Sequence, residues 1–153
     1  MKRNNVGFTL MEVMVAIAIM VVLSAIAVPN MIGWRERAKL RGTFANLRGD
    51  LQWAKMQAIR EHGPREIVFD SNGYTIVGTT VGATTVRSRQ LSAGVVFNLG
   101  ASTIPVDPDD LNQLKTQFDA RGRCPDDGTL VLQDSNGEQR IISINPLGQI
   151  RQE

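Results

Sequence analysis

The chain has 153 residues, room for about one domain, and its 42% hydrophobic and 21% charged residues are ordinary for a globular protein. Its net charge is +2, and taking Lys2 and Arg3 from the 17 basic residues leaves 15 against 15 acidic, so no overall basic excess marks a nucleic-acid binder. The single cysteine, Cys124, excludes an internal disulfide, and with the single His62 it cannot build a Cys/His zinc set.

The first predicted element is apolar. Between Phe8 and Val28 the only charged residue is Glu12. A helix over this run, rising about 1.5 Å per residue, covers the roughly 30 Å hydrocarbon core of a bilayer. A secretory signal peptide fits the basic start, and Ala25-Ile26-Ala27 offers a cleavage site of the A-x-A type. It leaves Glu12 unexplained, and cleavage at Ala27 would decapitate the helix that follows. A plain anchor explains the length only, because an unpaired carboxylate at a helix centre costs about 2.5–3.5 kcal/mol.

Lys2-Arg3, then Gly7-Phe8-Thr9-Leu10-Met11-Glu12, then an aliphatic run interrupted by Pro29, resembles the class III leader of type IV prepilins and type II secretion pseudopilins. The resemblance implies cleavage by prepilin peptidase after Gly7 and methylation of the new terminal amine of Phe8. Glu12 then becomes the fifth mature residue. Without water a carboxylate is stable only when paired. The amine of Phe8 on an axially shifted neighbouring subunit is an available partner, which makes Glu12 a device for subunit register.

Residues 31–62 carry Leu40, Phe44, Leu47, Leu51, Ala54 and Ala58 at helical spacing, a single stripe expected to pack on a sheet and complete its core. The opposite face holds Arg41, Arg48, Gln52, Lys55 and Gln57. Arg35, Arg37, Lys39, Arg41 and Arg48 outnumber Glu36 and Asp50, which suits either cytoplasmic or lipid contact or a solvated helix face. Pro29, Gly33, Gly42 and Gly49 are expected bend points, and His62-Gly63-Pro64 ends the helix. Apolar and amphipathic segments together predict a helix of about 50 residues and about 80 Å.

Strands are predicted from residue 65 onward: Arg65–Asp70, Tyr74–Thr79, Thr85–Leu91, Gly94–Leu99, Lys115–Ala120, Thr129–Asp134 and Glu138–Asn145. The linkers Ser71-Asn72-Gly73 and Ser135-Asn136-Gly137 both contain Asn-Gly, whose tolerance of positive φ suits tight hairpins. Loops are expected at Val106–Gln113 and Arg121–Gly128.

The stretch Leu47–Asp70, with Ala54-Lys55 and Gln57-Ala58 before a REIVFD strand, and the end Ile141–Arg151 with Gly148, are similar to the GspH/FimT family of minor pseudopilins and minor pilins. That resemblance implies an α+β, pilin-like fold: a long N-terminal helix, membrane-spanning in its first half, packed on a small antiparallel β-sandwich. The expected organisation is a leader at 1–7, a transmembrane and filament-core helix at 8–28, its amphipathic continuation at 29–63 and a β-rich head at 64–153. A single-pass protein of the bacterial inner membrane follows, its head in the periplasm. Its implied partners are prepilin peptidase, other pilins or pseudopilins in a filament, and an inner-membrane assembly platform.

No nucleotide-binding glycine loop, nucleophile elbow or H-E-x-x-H occurs, so the chain is read as a non-enzyme with no catalytic residues, no cofactor and no metal. Asp107-Pro108-Asp109-Asp110 lacks EF-hand spacing and equally suits a helix start. Cys124 reads as an incidental loop thiol. Some members of the resembled family bind DNA through a C-terminal G-R-x-R pattern. Here Gly148-Gln149-Ile150-Arg151 keeps only the last arginine, so nucleic acid would depend on Arg151 with Arg140, Arg121 and Arg123. The leading expectation is therefore an assembly-priming minor pilin or pseudopilin. The alternatives are a DNA-binding minor pilin for uptake and a secreted soluble domain with a signal peptide.

Overall fold

The computed structural model describes residues 8–78 and 84–153. The leader at 1–7, with Gly7, and Thr79, the last residue of one predicted strand, lie outside the described residues. The chain divides into two compact units, Met1–Arg35 and Glu36–Glu153.

One helix, α1, runs from Leu10 to Arg60. It continues through the expected bend points Gly33, Gly42 and Gly49, each of which has open space where a Cβ would stand. The cost of a helical glycine, about 1 kcal/mol, is entropic and does not by itself break a helix whose neighbours pack well. The helix ends as its sequence predicts. His62 adopts φ 52°, the Gly63 N–H donates to the Ala58 carbonyl at 3.2 Å and the His62 N–H to the Ile59 carbonyl at 3.4 Å, a Schellman closure.

Among the described residues of the unit Glu36–Glu153, eight strands follow: β1 Arg65–Asp70, β2 Gly73–Gly78, β3 Thr84–Gln90, β4 Val95–Phe97, β5 Leu114–Phe118, β6 Gly128–Asp134, β7 Gln139–Ile144 and β8 Ile150–Gln152. They form two antiparallel sheets, in the orders β3-β2-β1-β5 and β4-β6-β7-β8. Leu40, Phe44, Leu47, Leu51, Ala54 and Ala58 are all buried against Ile67, Phe69, Ile76, Leu130, Leu132 and Ile142 from both sheets. The stripe read from helical spacing is thus the helix's contribution to the core.

Two local expectations need correction. The β1–β2 turn uses no positive φ at Asn72 or Gly73. Instead the Asp70 carboxylate accepts the Asn72 N–H at 2.6 Å, and Gly73 is required because a Cβ there would stand 2.8 Å from the Arg89 carbonyl of β3. The β6–β7 turn does follow the expected logic, with Gly137 at φ 84° and Asp134 accepting the N–H groups of Asn136 and Glu138 at 2.9 and 2.8 Å. The eighth strand, β8, is three residues at a sheet edge, too short to carry a readable alternation.

Candidate functional site

Every described residue from Phe8 to Ala27 is exposed, and an 18-residue window of this helical stretch has a mean hydropathy of 2.6. A helix that is apolar on every side and covered by nothing in its own unit is a surface for lipid or for other helices. Val15, Ala18, Ile19, Val22 and Leu23 line a shallow apolar groove of about 320 Å³ along it.

Glu12 has a local role that the sequence reading missed. Thr9 precedes the first helical residue, and the Glu12 N–H donates to its Oγ1 at 3.3 Å. Thr9-Leu10-Met11-Glu12 therefore has the spacing of a capping box, with the carboxylate at the third helical position, where the helix dipole favours it. The signal was present in the sequence as T-x-x-E. The dipole contributes only about 0.3–1 kcal/mol, less than the roughly 2.5–3.5 kcal/mol cost of a carboxylate deep in hydrocarbon, so capping leaves most of that cost to another partner.

In the second unit the main polar cluster surrounds Asp50, which is 4% exposed. It accepts the Tyr74 hydroxyl at 2.6 Å and Arg89 Nε at 2.8 Å, and Arg87 as well. Burial pushes the Asp50 carboxyl up, but the hydrogen bonds from Tyr74, Arg89 and Arg87 together outweigh it and hold the group below its ordinary value. Burial, then the neighbouring carboxylate, pushes the Tyr74 phenol well above its ordinary value. Arg87 also lies 4.2 Å from the Trp53 ring centroid. The cluster ties α1 to β2 and β3 and offers no open reaction site.

The arginines singled out for nucleic acid do not all share one face. Arg123 pairs with Asp119 at 2.9 Å, and the N–H groups of Arg121 and Arg123 both cap the same carboxylate at 2.8 Å. Arg151 lies opposite Ser143 and donates to the Gln149 side chain at 3.2 Å. Arg140 lies on the other face of β7, with buried Ile142 and Ile144, and turns toward Phe44 of the helix, 5.7 Å from its ring centroid. There it meets Arg41 and Arg48, which the sequence reading had set aside. Gly148, part of the pattern that suggested DNA, has a conformational reason to be glycine. Its φ is +68°, and a Cβ would collide with the Gly122 carbonyl.

The remaining candidates are structural in their contacts. Cys124 is buried beside Thr116 Oγ1 at 3.0 Å, and burial pushes its thiol up, away from the reactive thiolate. Asp107 accepts the Asp109 N–H at 3.0 Å, which shapes the loop before β5. Of the basic residues after the apolar run, Arg37 pairs with Glu138 of the β6–β7 turn at 3.3 Å and Lys39 with Glu36 at 2.8 Å. These contacts fit the solvated-face reading of that stretch.

Comparison with known proteins matches residues 2–28 to the prokaryotic N-terminal methylation motif and residues 44–148 to the type II transport protein GspH. The type IV wide pilus major component PilA4 of Thermus thermophilus is 34% identical over 73 residues, 48% of this chain and 48% of that protein. The type II secretion system core protein G of Aeromonas hydrophila is 51% identical over 37 residues, 24% of this chain and 26% of that protein. The chain thus spans about half or less of the curated relatives it matches. Among solved structures, the type IV minor pilin FimU of Pseudomonas aeruginosa has a TM-score of 0.59 at 19% identity, covering 78% of this chain and 92% of that one. The minor pseudopilin EpsH of Vibrio cholerae has a TM-score of 0.61 at 12% identity, covering 75% and 93%. At these identities the likeness to the two solved structures is one of fold.

Proposed function

The chain belongs to the type II transport protein GspH family, and from that premise we propose that it is a minor pseudopilin or minor pilin, a subunit that joins or primes a filament. The observation that carries this reading is the wholly exposed apolar helix surface from Phe8 to Ala27, with one carboxylate near its start, inside the matched methylation motif. Such a surface needs lipid before assembly and neighbouring helices after it. The role is structural: the chain supplies a surface and a register.

In this reading residues 1–7 are a leader removed by prepilin peptidase after Gly7, and Phe8 carries the methylated amine. Residues 8–28 anchor the chain in the inner membrane and later enter the filament core. Residues 29–63 continue the helix into a periplasmic head formed by residues 64–153, and an inner-membrane platform draws the subunit into the filament. Glu12 pairs with the amine of Phe8 on a neighbouring subunit, which offsets the cost of its desolvation.

Mass spectrometry of protein extracted from membranes is expected to give Phe8 as a methylated N-terminus. A terminus at Val28 would instead establish a cleaved secretory signal.

Glu12→Ala is expected to leave membrane insertion intact or improved, because it removes a polar group from an apolar helix. Incorporation beside other subunits should fall by about tenfold or more, the equivalent of roughly 1.4 kcal/mol or more of lost pairing. Normal incorporation of this variant, measured in sheared filament fractions, would defeat the pairing role of Glu12.

A further inference from the structure

The exposed apolar surface of the first unit does not end with the run 8–28. Met31 and Ile32 are exposed, and Trp34 is 67% exposed. Among the described residues Trp34 has no hydrogen-bond, ring or cation–π partner, whereas the other tryptophan, Trp53, packs on the core and lies under Arg87. The first charge after Glu12 is Arg35, so residues 13–34 form an uncharged helical stretch of 22 residues.

That length sets two residues against each other across a bilayer. Trp34 follows Glu12 by 22 positions on one helix, about 33 Å at about 1.5 Å per residue, and the hydrocarbon core is roughly 30 Å thick. An indole ring favours the headgroup level, with its apolar body toward the acyl chains and its N–H toward water and ester oxygens. A carboxylate favours the wet side of the opposite boundary. With residues 8–28 in the hydrocarbon, Glu12 stands about 6 Å inside one boundary and Trp34 about 9 Å beyond the other. Sliding the helix by about one turn brings each to a boundary. The slide takes Phe8, Leu10 and Met11 to headgroup level and draws Pro29 and Asn30 into the hydrocarbon edge. Leaving a charge in hydrocarbon costs far more than leaving a neutral amide there, so the balance favours the slide.

We propose that Trp34 seats in the phospholipid headgroup layer on the periplasmic side and so holds the Glu12 carboxylate in the opposite headgroup layer until assembly. This rests on the membrane-anchor reading of the apolar helix and refines its register. Entry into a filament, not residence in the bilayer, is then the step that desolvates Glu12 and demands the Phe8 amine of a neighbour.

The test uses full-length protein in phosphatidylcholine vesicles, with Trp53→Phe leaving Trp34 as the sole tryptophan. Its emission is expected to shift to the blue of its position in water. Lipids brominated high on the acyl chain should quench it more than lipids brominated near the bilayer centre. A nitroxide on Met11→Cys reads the other end, because Cys124 is buried and escapes labelling. Its depth, measured by collision with oxygen and with a water-soluble nickel chelate, should be at headgroup level. Trp34→Ala should move that label about 5 Å deeper, one helical turn. Trp34→Tyr should keep it in place, since tyrosine is also an interfacial ring.

Water-like, unquenched Trp34 emission from protein that still floats with the vesicles overturns the proposal. Quenching strongest near the bilayer centre, or a label depth indifferent to Trp34→Ala, overturns it as well. Protein that fails to float overturns the membrane-anchor reading itself and this proposal with it, so the two failures are distinguishable.

Discussion

Replacing Asp50 with alanine is expected to destabilise the Glu36–Glu153 unit by about 2–4 kcal/mol. The carboxylate is buried and accepts hydrogen bonds from Tyr74, Arg87 and Arg89. Its loss strands the Tyr74 hydroxyl in a position where Tyr74 is 2% exposed. The two arginines are each more than a third exposed and can turn to water, so the full cost of orphaning buried charges is not incurred. Asp50→Asn keeps the shape and one acceptor, and should cost less. Urea unfolding followed by tryptophan fluorescence measures both, with Trp53 stacked on Arg87 as a local reporter. Equal midpoints for wild type and Asp50→Ala would show that the cluster contributes nothing.

Acid should reveal the same group. The Asp50 carboxyl titrates lower in the folded chain than its ordinary value of 3.8. Its contribution is therefore fully present above about pH 4 and is lost as pH falls toward the folded value. The gap in stability between wild type and Asp50→Asn should be constant at neutral pH and narrow below about pH 4.

Leu51→Ala is expected to cost about 2–5 kcal/mol, because it removes a branched side chain from a packed interior and leaves a cavity. Leu51 is 1% exposed and sits in the cluster that joins α1 to both sheets. Leu111→Ala is the matched control: at 81% exposed it should shift stability by no more than about 0.5 kcal/mol in the isolated chain. If Leu51→Ala unfolds at the same urea concentration as wild type, the helix stripe does not complete the core.

Recognition of the site was uneven for an identifiable reason. The Thr9-to-Glu12 cap is local, with both partners inside one helical turn, so the residue types and spacing contain the information. The partners of Asp50 are 24, 37 and 39 residues away, and nothing in its neighbourhood distinguishes it from a surface acid. The opposite facing of Arg140 and Arg151 was hidden for the same reason. Arg140 and Arg151 are close in sequence but belong to opposite faces of the second sheet, because alternate residues of a strand point to opposite sides.

By itself the sequence determined the helix, its buried stripe, the end at His62 and seven of the eight strands, because 3.6-residue and two-residue periodicities, capping and turn chemistry act over a few residues. Only the tertiary structure decided that Asp50 is an interior anchor, that Gly73 and Gly148 are required by close approach of β3 and of the Gly122 carbonyl, and that Arg41, Arg48 and Arg140 share a groove. Those facts depend on which strands become neighbours, and strand order is set by long-range packing of both sheets against one helix face, not by any short stretch of chain.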